Sequence, residues 1–275
     1  MDTLPVHPKS DRYVASIGSA APLHPDFGSG LIDGRPFGIP VTVSDTAVPE
    51  SKVSLDYAEE SDASGYRIPQ DARIENGPAS DGDRHVIVWD RTRCASYELW
   101  DAHPQGGNAW HAGSGAVFDL RSHALRPDGW TSADAAGLAV LPGLVRYEEA
   151  AAGSVDHAIR ITVPRSDRSH LWPARHHAGT AADTSLPPMG LRLRLKSAVD
   201  TSQLAPQAKA VAEALKKYGV IVADNGSPWY ISGAEDSRWD NAQLDGLKAF
   251  KGSDFEAVDA SGLRHAPDSG AVAPR

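Results

Sequence analysis

A single cysteine, Cys94, serves the whole 275-residue chain. That rules out an intramolecular disulfide, a cysteine-built zinc cluster and a Cys-x-x-Cys redox motif, and it leaves Cys94 to be read as a small buried apolar residue. No run of eighteen apolar residues exists, so no segment has the length and character of a membrane-spanning helix. The opening Met-Asp-Thr-Leu-Pro lacks the basic start and apolar stretch of a secretory signal. His-Glu-x-x-His and the spaced Asp and Gly of a calcium loop are missing too, as are Gly-x-Ser-x-Gly, the phosphate-binding Gly-x-x-x-x-Gly-Lys loop and Gly-x-Gly-x-x-Gly after a strand. A serine hydrolase, a nucleotide hydrolase and a dinucleotide-dependent oxidoreductase therefore have no signature here. Positive charge is short as well: 27 Lys and Arg face 36 Asp and Glu, for a net charge of -9. Phosphate would be repelled, so neither nucleic acid nor an anionic membrane surface is an expected partner, and a neutral or cationic ligand fits better.

What the chain does have is 41% hydrophobic residues, enough to fill a core, with seven Trp and seven Tyr whose flat faces either pack that core or stack on sugar rings. Residues 1–80 carry Pro5, Pro8, Pro22, Pro25, Pro36, Pro40, Pro49, Pro69 and Pro78. Such a segment is expected to wrap in extended form rather than make helices, with short strands over 38–43 and 53–57, the first at a sheet edge because of Pro40. From 85 to 101 the alternation reads as a β-hairpin turning through Arg91 to Cys94. Further strands are expected at 115–120, 158–163, 190–196, 220–224 and 229–232; in the third of these Leu191, Leu193 and Leu195 share one face and Arg192 and Arg194 the other. A helix over 206–218 stops at Gly219, and a second begins at Asp240 with Gln243 as a capping box. Asn225-Gly226 is the strongest turn dipeptide. Residues 266–275 read as a flexible tail. The expected architecture is mainly β: one β-sandwich of jelly-roll type over residues 1–265, its core within 85–259, with a few peripheral helices.

The stretch from Ser114 to Tyr147 packs Gly, Trp, Asp and Arg more densely than ordinary loops do, and its Asp119, Asp128, Asp134 and Arg146 supply charge that a turn alone does not require. On the hairpin, Glu98 shares a face with Ser96 and Trp100. A carboxylate beside an aromatic is what a glycan-cleaving enzyme uses, because two carboxyl groups must flank the bond while a ring platform holds the sugar. The expected catalytic set is Glu98 with Asp134 or Asp119, and Asp224 is a further carboxylate at the site. Trp100, Trp110, Trp172 and Trp229 are expected as sugar platforms, with His157, Arg160 and His176 as orienting or proton-transferring groups. Each has a plainer reading: a solvated outer face for Glu98, a helix N-cap at Thr131-Ser132-Ala133-Asp134, core packing for each Trp. No cofactor is called for; a metal would have to be gathered from distant histidines such as His24, His157 and His176.

Four longer stretches, Leu125 to Leu138, Leu141 to Glu149, Pro187 to Lys196 and Tyr218 to Ser227, resemble a family of mostly uncharacterised, secreted bacterial proteins over about His24 to Asp259. The resemblance implies a secreted protein, often in the company of polysaccharide-active modules, whose signal segment has been removed; it carries over no catalytic residue. The expected function is an extracellular polysaccharide-active glycoside hydrolase or lyase, with a carbohydrate-binding or adhesive module and a metal-dependent enzyme as the alternatives.

Overall fold

In the computed structural model, residues 1–32 and 34–273 are described. Strand outweighs helix, 30% against 17%, so the protein is mainly β with a few helices. The largest sheet has six strands in the order His24–Asp26, Tyr230–Ser232, Ile159–Val163, Val220–Asn225, Arg192–Leu195 and Phe255–Val258. A four-stranded sheet runs Ser114–Asp119, Ala95–Trp100, Val86–Asp90, Val41–Ser44, and a three-stranded one Lys52–Leu55, Ala109–Ala112, His103–Gly106. The pairings do not spell out the expected single jelly roll. Ile159–Val163 and Val220–Asn225 are parallel, as are His24–Asp26 and Tyr230–Ser232, whereas a jelly roll is antiparallel throughout.

Apolar alternation builds these sheets. Leu191, Leu193 and Leu195 are fully buried, and the large core around them also takes Ile159, Ile161, Val163, Val220 and Val222 from neighbouring strands. Helix Pro206–Lys217 lays Ala208, Val211 and Leu215 on this core, and its proline sits at the first turn, where a missing N–H costs nothing. The chain leaves that helix through Gly219 at φ 68°, where a side chain would meet the Leu193 carbonyl at 2.3 Å, so only glycine can make the turn into the next strand. A second core, with Tyr66, Ile68, Val86, Val88, Leu99 and Trp110, lies against the four-stranded sheet, and a third gathers Ile39, Ile87, Val140, Leu141 and Leu144.

The 86–100 hairpin forms as expected, antiparallel and turning at 91–94, and Val41–Ser44 is an edge strand, in keeping with Pro40. Cys94 is only half-buried, in the left-handed backbone of that turn, rather than a core residue. Two other expectations are corrected, and one turn is placed. The wrapping segment contains a helix, Ser10–Ile17, because the span between Pro8 and Pro22 has no proline and Tyr13, Val14 and Ile17 make a buried stripe. Asn225-Gly226 does not close a hairpin: Val220–Asn225 and Tyr230–Ser232 lie on opposite sides of Ile159–Val163, so the chain crosses over between them. The tail is docked rather than loose as far as residue 273. Arg264–Ala266 pairs with Ser269–Val272, Trp172 donates to the Ser269 carbonyl at 2.8 Å, and Arg175 holds Asp268; the last two residues of the expected tail lie outside the described residues.

Candidate functional site

A cleft of about 360 Å³ opens where the six-stranded and four-stranded sheets meet. Three segments supply it. The four-stranded sheet brings Trp100 and Ser114, the strand Val220–Asn225 ends in it with Asp224 and Asn225, and the loop Thr131 to Ala135 crosses it. Tyr57, Glu60, Asp83 and His176 complete the wall.

Asp224 reaches the cleft through an irregularity. Ile159 faces Val220, Arg160 faces Ile221 and Ile161 faces Val222, but Thr162 faces Asp224, so Ala223 is an extra residue in the ladder. With regular alternation Asp224 would follow Val220 and Val222 into the apolar core. The bulge instead turns it to the side of Arg160 and Thr162. The carbonyl of Ala223 accepts from Ala136 N at 2.9 Å, which ties down the loop carrying Asp134. That loop is not the N-cap and helix that Thr131-Ser132-Ala133-Asp134 suggested. It is a turn in which Ser132 Oγ accepts from Asp134 N at 2.9 Å and Asp134 O accepts from Gly137 N at 2.9 Å. Gly137 has φ 68°, and a side chain there would strike the Trp130 carbonyl at 2.5 Å. The loop cannot continue as a helix past this point.

At the floor, Arg160 joins both carboxylates: Nε donates to Asp134 Oδ2 at 3.1 Å, Nη2 to Asp224 Oδ2 at 3.0 Å, and Nη1 to Ser232 Oγ at 2.9 Å. The Asp134 side chain is 1% exposed and that of Asp224 24%. Burial lifts the Asp134 carboxyl, Arg160 pulls it back and the neighbouring Asp224 charge lifts it again, leaving it at about 7. Burial raises Asp224 too, against Arg160. Oδ1 of Asp134 is buried with no hydrogen-bond partner. Because Oδ2 accepts from Arg160, a proton on this carboxyl belongs on Oδ1.

Below the loop, His85 is buried and both ring nitrogens are engaged, Nδ1 with Glu75 Oε2 at 2.6 Å and Nε2 with the Ala133 carbonyl at 2.9 Å. Burial opposes its charge, but Glu75 more than reverses this and raises the imidazole to about 9. It is an imidazolium at neutral pH, donating from both sides. His176 donates from Nδ1 to the Ala135 carbonyl at 2.8 Å, which turns Nε2 toward Glu60 Oε2 at 3.5 Å. Trp100 donates from Nε1 to Asp83 Oδ1 at 3.2 Å, and its ring lies 6.4 Å from that of Tyr57.

Of the residues expected from the sequence, Asp134, Asp224, Arg160, His176 and Trp100 come together here. Glu98 does not. It is fully buried, accepting from Val140 N at 2.7 Å, Leu141 N at 3.1 Å and Ser96 Oγ at 3.0 Å, so its carboxyl oxygens hold the start of the Leu141–Gly143 turn, while burial pushes its pKa up. Neither the sugar-facing role nor the solvated face describes it. Asp119 is exposed and bound to Arg121 at the far end of the Ser114–Asp119 strand. Trp110 and Trp229 are core residues at 2% and 0% exposure, and Trp172 anchors the C-terminal hairpin. His157 contacts Glu149 and the Ala158 carbonyl away from the cleft, and His24 stacks on Tyr230. Among the described residues no group of three or more His, Cys, Asp or Glu is placed to hold a metal ion. Sequence reasoning missed Tyr57 and Glu60, which sit in the Pro-rich segment read as wrapping, Asp83 just beyond it, and the Glu75–His85 pair. No family model, no curated protein and no solved structure matches the chain.

Proposed function

We propose that this cleft is the acid–base site of a glycoside hydrolase acting on a polysaccharide outside the cell. The observation that carries the reading is one buried carboxyl, Asp134, held by Arg160 with Oδ1 unpartnered and lifted to about 7, in a cleft that also holds further carboxylates and an aromatic wall. In the reaction, Asp134 Oδ1–H gives its proton to the glycosidic oxygen as the bond from that oxygen to the anomeric carbon breaks. Glu60, set beside His176 Nε2, accepts a proton from a water whose hydroxyl joins the anomeric carbon, so the balance is one water added across one bond. Arg160 holds Asp134 and Asp224 in place. Trp100, fixed by Asp83, offers a face for a sugar ring.

The test is incubation of the purified chain with a panel of polysaccharides, with and without chelator, products being read by mass spectrometry. New reducing ends that persist in chelator and vanish in Asp134→Asn support the reading. Unsaturated ends would move it to a lyase, chelator-sensitive products to a metal-dependent enzyme, and retention without product to a binding module.

A further inference from the structure

We infer that the sugar taken by this cleft carries a protonated amine, so that the substrate is an amino-sugar polymer with free ammonium groups. The inference rests on the hydrolase reading for its reaction, but its argument is electrostatic. Glu60, Asp83, Asp134 and Asp224 line the cleft together with His176, and no Lys or Arg among the described residues does. Three buried cations stand behind the wall and each is already spent: Arg126 donates to Asp62 and to the Thr131 and Glu60 carbonyls. Arg160 donates to Asp134, Asp224 and Ser232, and His85 donates to Glu75 and the Ala133 carbonyl. Against those three cations stand the carboxyl groups of Glu60, Asp62, Glu75, Asp83, Asp134 and Asp224. Even with Asp134 protonated the balance stays negative.

Two further features point to a ligand rather than to internal pairing. Asp134 Oδ1 is a buried polar atom that no group of the protein satisfies. Asp83 is exposed at the rim and binds Trp100 through Oδ1, so one carboxylate both orients an aromatic face and adds charge beside it. Asp134 Oδ1–H is left for the glycosidic oxygen, while an ammonium group gains a charge-assisted hydrogen bond to the carboxylates around it and the negative face of Trp100 or Tyr57. A uronic acid would bring a like charge into the same space, and a neutral hexose would offer hydroxyl donors but no compensating charge.

The experiment uses the full chain with β-1,4-linked glucosamine oligomers and α-1,4-linked galactosamine oligomers, their N-acetylated forms, a neutral β-glucan and polygalacturonate. Cleavage is read as new reducing ends, and binding to Asp134→Asn by calorimetry. The expected result is a kcat/KM at least tenfold higher on a free-amine oligomer than on its N-acetylated form, with the preference shrinking in high salt and in Asp83→Asn. Equal or better cleavage of an acetylated, neutral or uronic polymer overturns the inference and leaves the hydrolase reading standing. Binding of a free-amine oligomer without cleavage by the unaltered chain supports the inference and overturns the hydrolase reading. Neither binding nor cleavage of any free-amine oligomer overturns the inference.

Discussion

Asp134 and Arg160, 26 positions apart, are joined by a 3.1 Å hydrogen bond between Nε and Oδ2, and both side chains are almost wholly withdrawn from solvent. A buried ion pair costs desolvation on both sides, and this one has a second carboxylate, Asp224, on the same guanidinium. One guanidinium thus serves two carboxyl groups, and Asp134, lifted to about 7 by burial, has a proton to give.

Asp134→Asn retains the shape and an acceptor for Arg160 but removes the transferable proton. Turnover is expected to fall roughly 100- to 10,000-fold while the thermal midpoint hardly moves. In the unaltered protein the alkaline limb of the rate profile should follow the acid's loss of its proton, at about 7. Full activity in the Asn variant, measured as reducing ends per unit time, sinks the assignment.

Arg160→Met strands Asp134 and Asp224 without their cation. The expected loss is about 3–5 kcal/mol in denaturant unfolding at pH 7, partly recovered at lower pH where both carboxyls take up protons. A variant as stable as the parent would show that the pair does not need its arginine.

The His85 imidazole is raised from an ordinary 6.5 to about 9. The folded state thus holds a proton that the unfolded state gives up between those values. Its contribution, at most about 3 kcal/mol, is fully present below pH 6.5 and is lost as pH rises through about 9. Glu75 is held below the usual carboxylate range, with burial opposing and His85 winning, so its share is lost on the acid side. Glu75→Gln should flatten the alkaline decline in stability; an unchanged slope between pH 6.5 and 9 would refute the link.

Glu98→Gln is expected to cost stability rather than chemistry. An amide can accept from only one of the two backbone N–H groups that the carboxylate now holds as a pair, and the loss is about 1–3 kcal/mol. Activity per folded molecule should stay near the parent's; a fall of a hundredfold with normal stability would return Glu98 to the reaction.

Trp100→Ala should weaken binding about tenfold by removing a ring face. Gly113→Ala offers a milder version, because a Cβ there would sit 2.4 Å from the Trp100 ring and must displace it without touching a carboxylate. Calorimetry on both variants should rank Gly113→Ala between the parent and Trp100→Ala.

The elements with strong periodicity were legible in the sequence. The 86–100 hairpin, the Leu191-Leu193-Leu195 face and the 206–217 helix each follow from where apolar residues recur. The site was legible only in part. Asp134, Arg160, His176, Trp100 and Asp224 stand out by type, but what brings them together is long-range pairing that no local pattern encodes. Glu60 lies in a stretch whose prolines mark it as extended and say nothing of what it packs on, and Asp83 follows directly after that stretch. Trp110 and Trp229 show the converse: an aromatic looks the same in the sequence whether it lines a cleft or fills a core. Glu98 was misread because alternation gives a residue's face but not whether that face meets solvent, a cleft or, as here, two unpaired backbone donors.

The extra residue at Ala223 makes the cleft sensitive to chain length as well as to chemistry. Deleting that one alanine, which has no reactive group of its own, would restore a regular ladder with Asp224 still opposite Thr162, but would take away the carbonyl that moors the Asp134 loop. The acid on that loop would be mislaid by an edit that does not touch it.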